Sequence, residues 1–88
     1  LDLLSAGRSY PNPFNPTTTI RFALPEEVRV NLEIFDLLGE SIATLVDEKR
    51  QAGYYSERFD GTGLASGVYV CRIQAGDFVQ TRKLLLLR

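Results

Sequence analysis

The stretch that most constrains the fold runs from Tyr10 to Thr19, Tyr-Pro-Asn-Pro-Phe-Asn-Pro-Thr-Thr-Thr. Three of the chain's four prolines, Pro11, Pro13 and Pro16, fall within it. Each fixes its own φ near −65° and drives the preceding residue toward extended geometry. Asn12 and Asn15 stand directly before Pro13 and Pro16, a pairing that starts turns because Asn can bond its own backbone. Such a segment is excluded from helices and from central strands. It reads as a stiff staple whose rings, Tyr10 and Phe14, tuck against the next segment of the chain. That segment is Thr17 to Leu24, where Thr18, Ile20, Phe22 and Leu24 recur at period two, the pattern of a half-buried strand.

The same period continues. After a turn at Leu24-Pro25-Glu26-Glu27, Val28, Val30, Leu32 and Ile34 alternate with Arg29, Asn31, Glu33 and Phe35. One face meets a core and the other water, which points to an antiparallel sheet. Asp36-Leu37-Leu38-Gly39 reads as a four-residue hairpin loop with Gly39 at positive φ. Glu40 to Val46 is a strand of mixed phase, so either both its faces are covered or it contains a bulge. Asp47 to Gly53 reads as a charged loop. Tyr54 to Phe59 is a strand with Tyr55 and Phe59 on one face, a face Glu57 interrupts. Asp60 to Gly67 is turn composition throughout. Val68 to Ala75 and Phe78 to Leu87 form a hairpin about Gly76-Asp77.

Short strands at this spacing, with no helical period, predict an all-β antiparallel β-sandwich of about seven strands, counting an edge strand at Leu1 to Leu4. The expected core is Ile20, Phe22, Val30, Leu32, Ile34, Leu45, Phe59, Tyr69 and Ile73. With 88 residues there is room for one domain and one core. The chain begins at Leu1 without Met or a cleavable leader and reads as a piece of a longer protein.

Composition excludes most chemistry. There is no His, so histidine-based triads and metal sites are out. A lone Cys, Cys71, makes no internal disulfide and follows the apolar Tyr69 and Val70, which marks it as a small buried side chain. A net charge of −1 gives no footprint for nucleic acid. The longest apolar run, Leu84 to Leu87, falls far short of the roughly 20 residues of a membrane-spanning helix. Asp60-Gly61-Thr62-Gly63 offers too few oxygens for calcium and reads as a turn. Glu26-Glu27 and Asp47-Glu48 are solvated pairs with no cleft between them. No catalytic residue, metal or cofactor is expected, nor a small-molecule substrate. A carbohydrate-binding module would need an exposed aromatic platform, and Tyr54 is its only candidate.

Four strings then carry a resemblance: Tyr10-Pro-Asn-Pro-Phe-Asn-Pro-Thr-Thr-Thr-Ile-Arg-Phe, Phe35-Asp-Leu-Leu-Gly39, Leu64-Ala-Ser-Gly-Val-Tyr69 and Thr81-Arg-Lys-Leu-Leu-Leu-Leu-Arg88. Together they resemble the type A C-terminal sorting domain of the type IX (Por) secretion system. They are also similar to the immunoglobulin-like module of the flagellar hook-capping protein. The resemblance implies a seven-stranded immunoglobulin-like sandwich over residues 10–88, preceded by an N-terminal segment or edge strand over 1–9. It implies a secreted or cell-surface protein of the Bacteroidetes or related phyla, exported through the periplasm and across the outer membrane. The domain would be recognised by the outer-membrane translocon and often cleaved off, its cargo joined to surface lipopolysaccharide. The recognition residues it implies are Gly67, Val68 and Tyr69 with the basic positions Arg82, Lys83 and Arg88. Glu57 and Cys71 depart from the family pattern, which has an apolar residue and an aromatic there.

The alternative is a structural subunit that self-associates through edge strands into an extracellular filament. Four successive leucines, Leu84, Leu85, Leu86 and Leu87, place apolar side chains on both faces of the last strand. An uncovered strand of this kind aggregates. Its outer edge or face is therefore expected to be covered by Leu1, Leu3 and Leu4, of the same chain or of a neighbour.

Overall fold

The computed structural model describes residues 3–6 and 13–87. Among these, six strands form two antiparallel sheets: β1 (Thr17–Leu24), β2 (Val28–Phe35), β3 (Ser41–Arg50), β4 (Gly53–Asp60), β5 (Gly67–Ala75) and β6 (Phe78–Leu86). One sheet holds β1 and β4, the other has the order β3-β2-β5-β6. The all-β sandwich read from the period-two pattern is the observed class. Inward positions alternate as that pattern requires: Thr18, Ile20, Phe22 and Leu24 on β1, Val30, Leu32 and Ile34 on β2, Tyr69, Cys71 and Ile73 on β5. The apolar ones meet in one core with Phe59, Leu84 and Leu86.

Every member of the expected core is buried except Leu45, which is half-buried, while its neighbour Val46 takes the inward place. The cause is the register with β2. Leu32 pairs with Val46 but Glu33 with Thr44, so Leu45 is skipped. Ile34 pairs with Ala43 and Phe35 with Ser41, which skips Ile42. An extra residue at each point reverses the phase of the side chains beyond it. Of the two readings of this strand's mixed phase, the bulge accounts for it.

Two expectations are corrected. Asp47 to Arg50 is strand rather than loop, paired to Asn31 through Val28, and only Gln51 and Ala52 connect β3 to β4. β3 is an edge strand, where charge is tolerated and discourages further pairing. Here it is also used: Asp47 Oδ1 accepts from Arg29 at 2.8 Å, and Lys49 stands 3.8 Å from Glu27. The second correction concerns the N-terminal segment. Leu3–Ala6 is a 3-10 turn lying against β1, not an edge strand. Leu3 and Leu4 are both buried. Adjacent residues of a strand point to opposite faces, whereas a tight turn can send two neighbours inward. Leu4 N–H donates to Gln80 Oε1 of β6 at 3.1 Å. Leu1, Tyr10, Pro11, Asn12 and Arg88 lie outside the described residues.

Candidate functional site

The residues singled out for recognition come from two separate stretches of the chain, and the β5–β6 hairpin brings most of them together. Its turn is Gly76-Asp77, between the paired Ala75 and Phe78. That short turn fixes the register along the whole ladder. Gly67 lies opposite Leu86, Val68 opposite Leu85, Tyr69 opposite Leu84 and Val70 opposite Lys83. Val68 and Lys83 consequently line one shallow hollow of about 330 Å³, with Pro13, Leu84 and Leu85.

The three residues Gly67, Val68 and Tyr69 have different tasks. Gly67 starts β5 at φ +152°, a conformation that L side chains rarely adopt. Tyr69 points inward, and its hydroxyl donates to the Ala65 carbonyl at 2.7 Å, four residues upstream. That is the geometry of a tyrosine corner, which ties the connection before a strand to the strand itself. Only Val68 of the three sends its side chain to the outer face.

The basic positions are divided too. Lys83 is exposed on the outer face, whereas Arg82 stands opposite the buried Cys71 and shares the inward parity of Leu84 and Leu86. Burial pushes the Cys71 thiol up to about 12, with Arg82 pulling weakly the other way. A thiol so protonated is no nucleophile at neutral pH.

Of the leucines expected at an assembly edge, Leu3, Leu4, Leu84 and Leu86 are core residues, and Leu85 and Leu87 face outward. The outer edge of β6 is paired near its end, as expected of so apolar a strand, but by a different segment. Phe14 forms a parallel bridge with Leu86: Phe14 N–H donates to Leu85 O and Leu87 N–H to Phe14 O, both at 2.9 Å. Leu3 and Leu4 serve the core instead.

The acidic loop binds itself. Asp60 Oδ1 accepts from the Thr62 hydroxyl at 2.6 Å and from the Thr62 N–H at 2.9 Å. These bonds, the hydroxyl first, hold the Asp60 carboxyl below its ordinary value. Among the described residues there is no group of three or more Cys, Asp or Glu able to hold a metal ion.

Two surface features were not apparent from the sequence. Pro13, a stiffener by its residue type, also lines the Val68–Lys83 hollow. Leu37 and Leu38 of the β2–β3 connection are 70% and 86% exposed. Their signal is the run Asp36-Leu37-Leu38-Gly39, two leucines between a turn-forming Asp and a Gly, which by itself announces a loop and no function.

A family model described as a secretion system C-terminal sorting domain matches residues 8–87. Among curated proteins, none matches the chain.

Proposed function

The chain belongs to the secretion system C-terminal sorting domains, and from that membership we propose that its folded sandwich is recognised by the type IX translocon through the outer face of the β5–β6 hairpin. Membership itself carries the coarser statements. The domain serves C-terminal sorting for secretion, its destination is the cell surface or the medium beyond the outer membrane, and domains of this kind are in general non-catalytic.

The finer reading assigns residues. Val68 and Lys83 make the direct contact, since they share one hollow on the outer face. Gly67 and Tyr69 act indirectly, by starting β5 and by locking the corner before it. Arg82 adds positive charge on the last strand, and Arg88, outside the described residues, is a further basic position of this reading. No step of this work needs catalysis or a cofactor; the chain acts as a folded address, residues 10–88 carrying the recognised surface and the N-terminal segment completing its core. A filament subunit joined through the end of β6 is the weaker reading, because Phe14 already occupies that edge at Leu86.

The register that sets Val68 beside Lys83 is the observation that carries the proposal. Its test is export of a reporter fused to the full chain in a host with a type IX system. V68T and K83E alter outer-face positions without placing a new carboxylate on the internal strand β5, and should leave the melting temperature nearly unchanged while export falls. Export equal to that of the unaltered chain would remove the recognition role from this hairpin.

A further inference from the structure

β2 and β3 are joined by residues 36–40, and this connection is held far more tightly than a turn requires. Asp36 Oδ1 accepts the Leu38 and Glu40 N–H groups, each at 2.9 Å. Asp36 N–H donates to Glu40 O at 3.0 Å and Gly39 N–H to Asp36 O at 3.1 Å. Gly39 takes φ +84°. The loop so fixed points its two largest side chains into water, Leu37 and Leu38.

The place of this tip matters as much as its exposure. Phe35 pairs with Val70, and Leu37 lines with both of them a hollow of about 310 Å³. Val68, two residues before Val70, pairs with Leu85 at the next hollow. An outer surface with apolar groups set among Arg72, Thr81 and Lys83 therefore runs from the hairpin tip to the last strand, at the end of the sandwich where β5 begins and β6 stops. Among the described residues Leu37, Leu38, Leu85 and Leu87 stand exposed at this end, and only Tyr54 and Val79 among the large apolar side chains stand exposed at the other. Concentration of exposed apolar side chains at one end marks an interaction site.

We propose that the Leu37–Leu38 tip is a second contact of the recognition surface and docks into an apolar pocket on a protein of the secretion machinery. The inference rests on the proposed sorting function and extends it across the sheet. Continuity with Val68 and Leu85 ties the tip to the hairpin proposed for recognition. A tip fixed by its own hydrogen bonds loses little freedom on docking, which favours a defined protein pocket. The charge around the tip disfavours an anionic membrane: the connection itself holds Asp36 and Glu40 and no basic residue, and the one cation lining its hollow, Arg72, stands 3.7 Å from Glu33 and lies over the Phe35 ring, whereas loops that enter such surfaces carry Lys or Arg turned to the lipid. The pocket is accordingly apolar, with neutral or positive groups facing Glu40.

The experiment compares the full chain with its L37S/L38S and L38A variants, each fused to a reporter in a host with a type IX system. Both positions are exposed, so thermal melts of the purified variants should coincide with that of the wild type. Should L37S/L38S melt lower, the milder L38A carries the comparison. The proposal expects export to fall about tenfold for the double variant, as for loss of one apolar anchor. Export within about twofold of wild type, with matching melts, would overturn the tip contact and leave the sorting function standing. A wild-type reporter that is not exported would overturn the sorting function and this contact with it. Two further measurements, each on the wild type and on L37S/L38S, guard the choice of partner. Leucine-dependent flotation with vesicles of phosphatidylethanolamine and lipopolysaccharide would assign the tip to lipid, and leucine-dependent dimerisation in sedimentation would assign it to a second copy. Either result would overturn the protein pocket.

Discussion

Phe14 and Leu86 form an isolated parallel bridge that closes the outer edge of β6 where it ends. Phe14 is at once backbone partner and core side chain, 1% exposed and set edge-on to Phe59 at 5.9 Å between ring centroids. The Pro-rich lead-in thus does two things with one residue. It covers an apolar edge that would otherwise invite pairing, and it plugs the open end between the two sheets.

Replacing Phe14 by Ala should therefore cost about 3–5 kcal/mol in a urea melt, the range for truncating a buried aromatic. Hydrogen exchange supplies a second readout. The Leu87 amide, which donates to Phe14 O, should lose protection in F14A well before the amides of the central strand β2. Deleting residues 1–5 should lower stability through loss of Leu3 and Leu4 from the core while leaving the Leu87 amide protected in the folded state. Loss of that protection on the deletion, with the chain still folded, would contradict the assignment of the edge to Phe14.

The two bulges in β3 make a sharper comparison. V46A removes two methyl-sized groups from a buried position and should cost about 2 kcal/mol, counting roughly 0.8 kcal/mol per group and a cavity term. L45A removes more atoms from a half-buried position and should cost less than V46A. Equal or reversed losses would mean that the side chains do not follow the observed register. I34A, at a fully buried position of β2, is the reference and should cost about 2–5 kcal/mol.

How far the sequence led depended on whether a residue's environment was local. Alternation along β1, β2 and β5 depends only on spacing, so Ile20, Phe22, Leu32 and Ile73 were legible as core. Leu45 was not, because its direction is decided by a skipped pair with β2, a long-range event that the strand announces only as mixed phase. Residues 47–50 looked like loop because charge depresses strand propensity, yet on an edge strand charge is compatible with pairing. The partner of the β6 edge was missed for a similar reason. The need for cover was visible in four leucines, but the choice between Phe14 and Leu3–Leu4 depends on chain reach and on how tightly Leu3 and Leu4 turn. At the candidate site, Val68 and Lys83 were named by the family resemblance alone, while their shared hollow needed the hairpin register, and the exposure of Leu37 and Leu38 needed the folded tip.

The Asp60 turn gives a pH test. Its carboxyl is held below the ordinary 3.8, chiefly by the Thr62 hydroxyl and then by the Thr62 N–H. A depressed folded-state value means that the stabilisation is fully present above the unfolded value and is lost as pH falls below 3.8 through the folded one. Carbon-detected NMR titration of Asp60 should give a midpoint below 3.8 in the wild type and a higher one in T62V, which keeps the backbone bond and lacks the hydroxyl. Since the carboxyl is fully exposed, the change belongs in its titration midpoint rather than in a large shift of global stability. An unmoved midpoint in T62V would show that the hydroxyl does not hold the proton affinity down.

Glu57 is the residue that departs from an apolar pattern on β4, and its surroundings say how the fold accommodates it. It lies on the same face as Tyr55 and Phe59, and its Oε1 accepts from Arg50 at 3.3 Å. The Arg50 guanidinium also donates to Glu48 at 2.9 Å and lies over the Tyr55 ring at 5.0 Å. Tyr55 in turn stacks on the buried Phe22 at 5.3 Å. Arg50 and Glu57 are 20% and 26% exposed in their side chains, so the pair is sheltered without being buried. Arg50 therefore covers the edge of the core with its stem and ring contact, and Glu57 gives it an anchor. A double-mutant cycle of R50A and E57A should yield a coupling of about 0.5–1 kcal/mol, the upper part of the range for partly exposed pairs. R50A alone should cost more than E57A, because it also uncovers Tyr55. E57L should be close to neutral, since an apolar residue of similar size can replace an ion-pair member whose partner retains Glu48. A coupling below about 0.2 kcal/mol would mean that Glu57 is merely tolerated on this face, and a cost for E57L above that of E57A, which loses the same charge, would mean that the face has no room for a leucine.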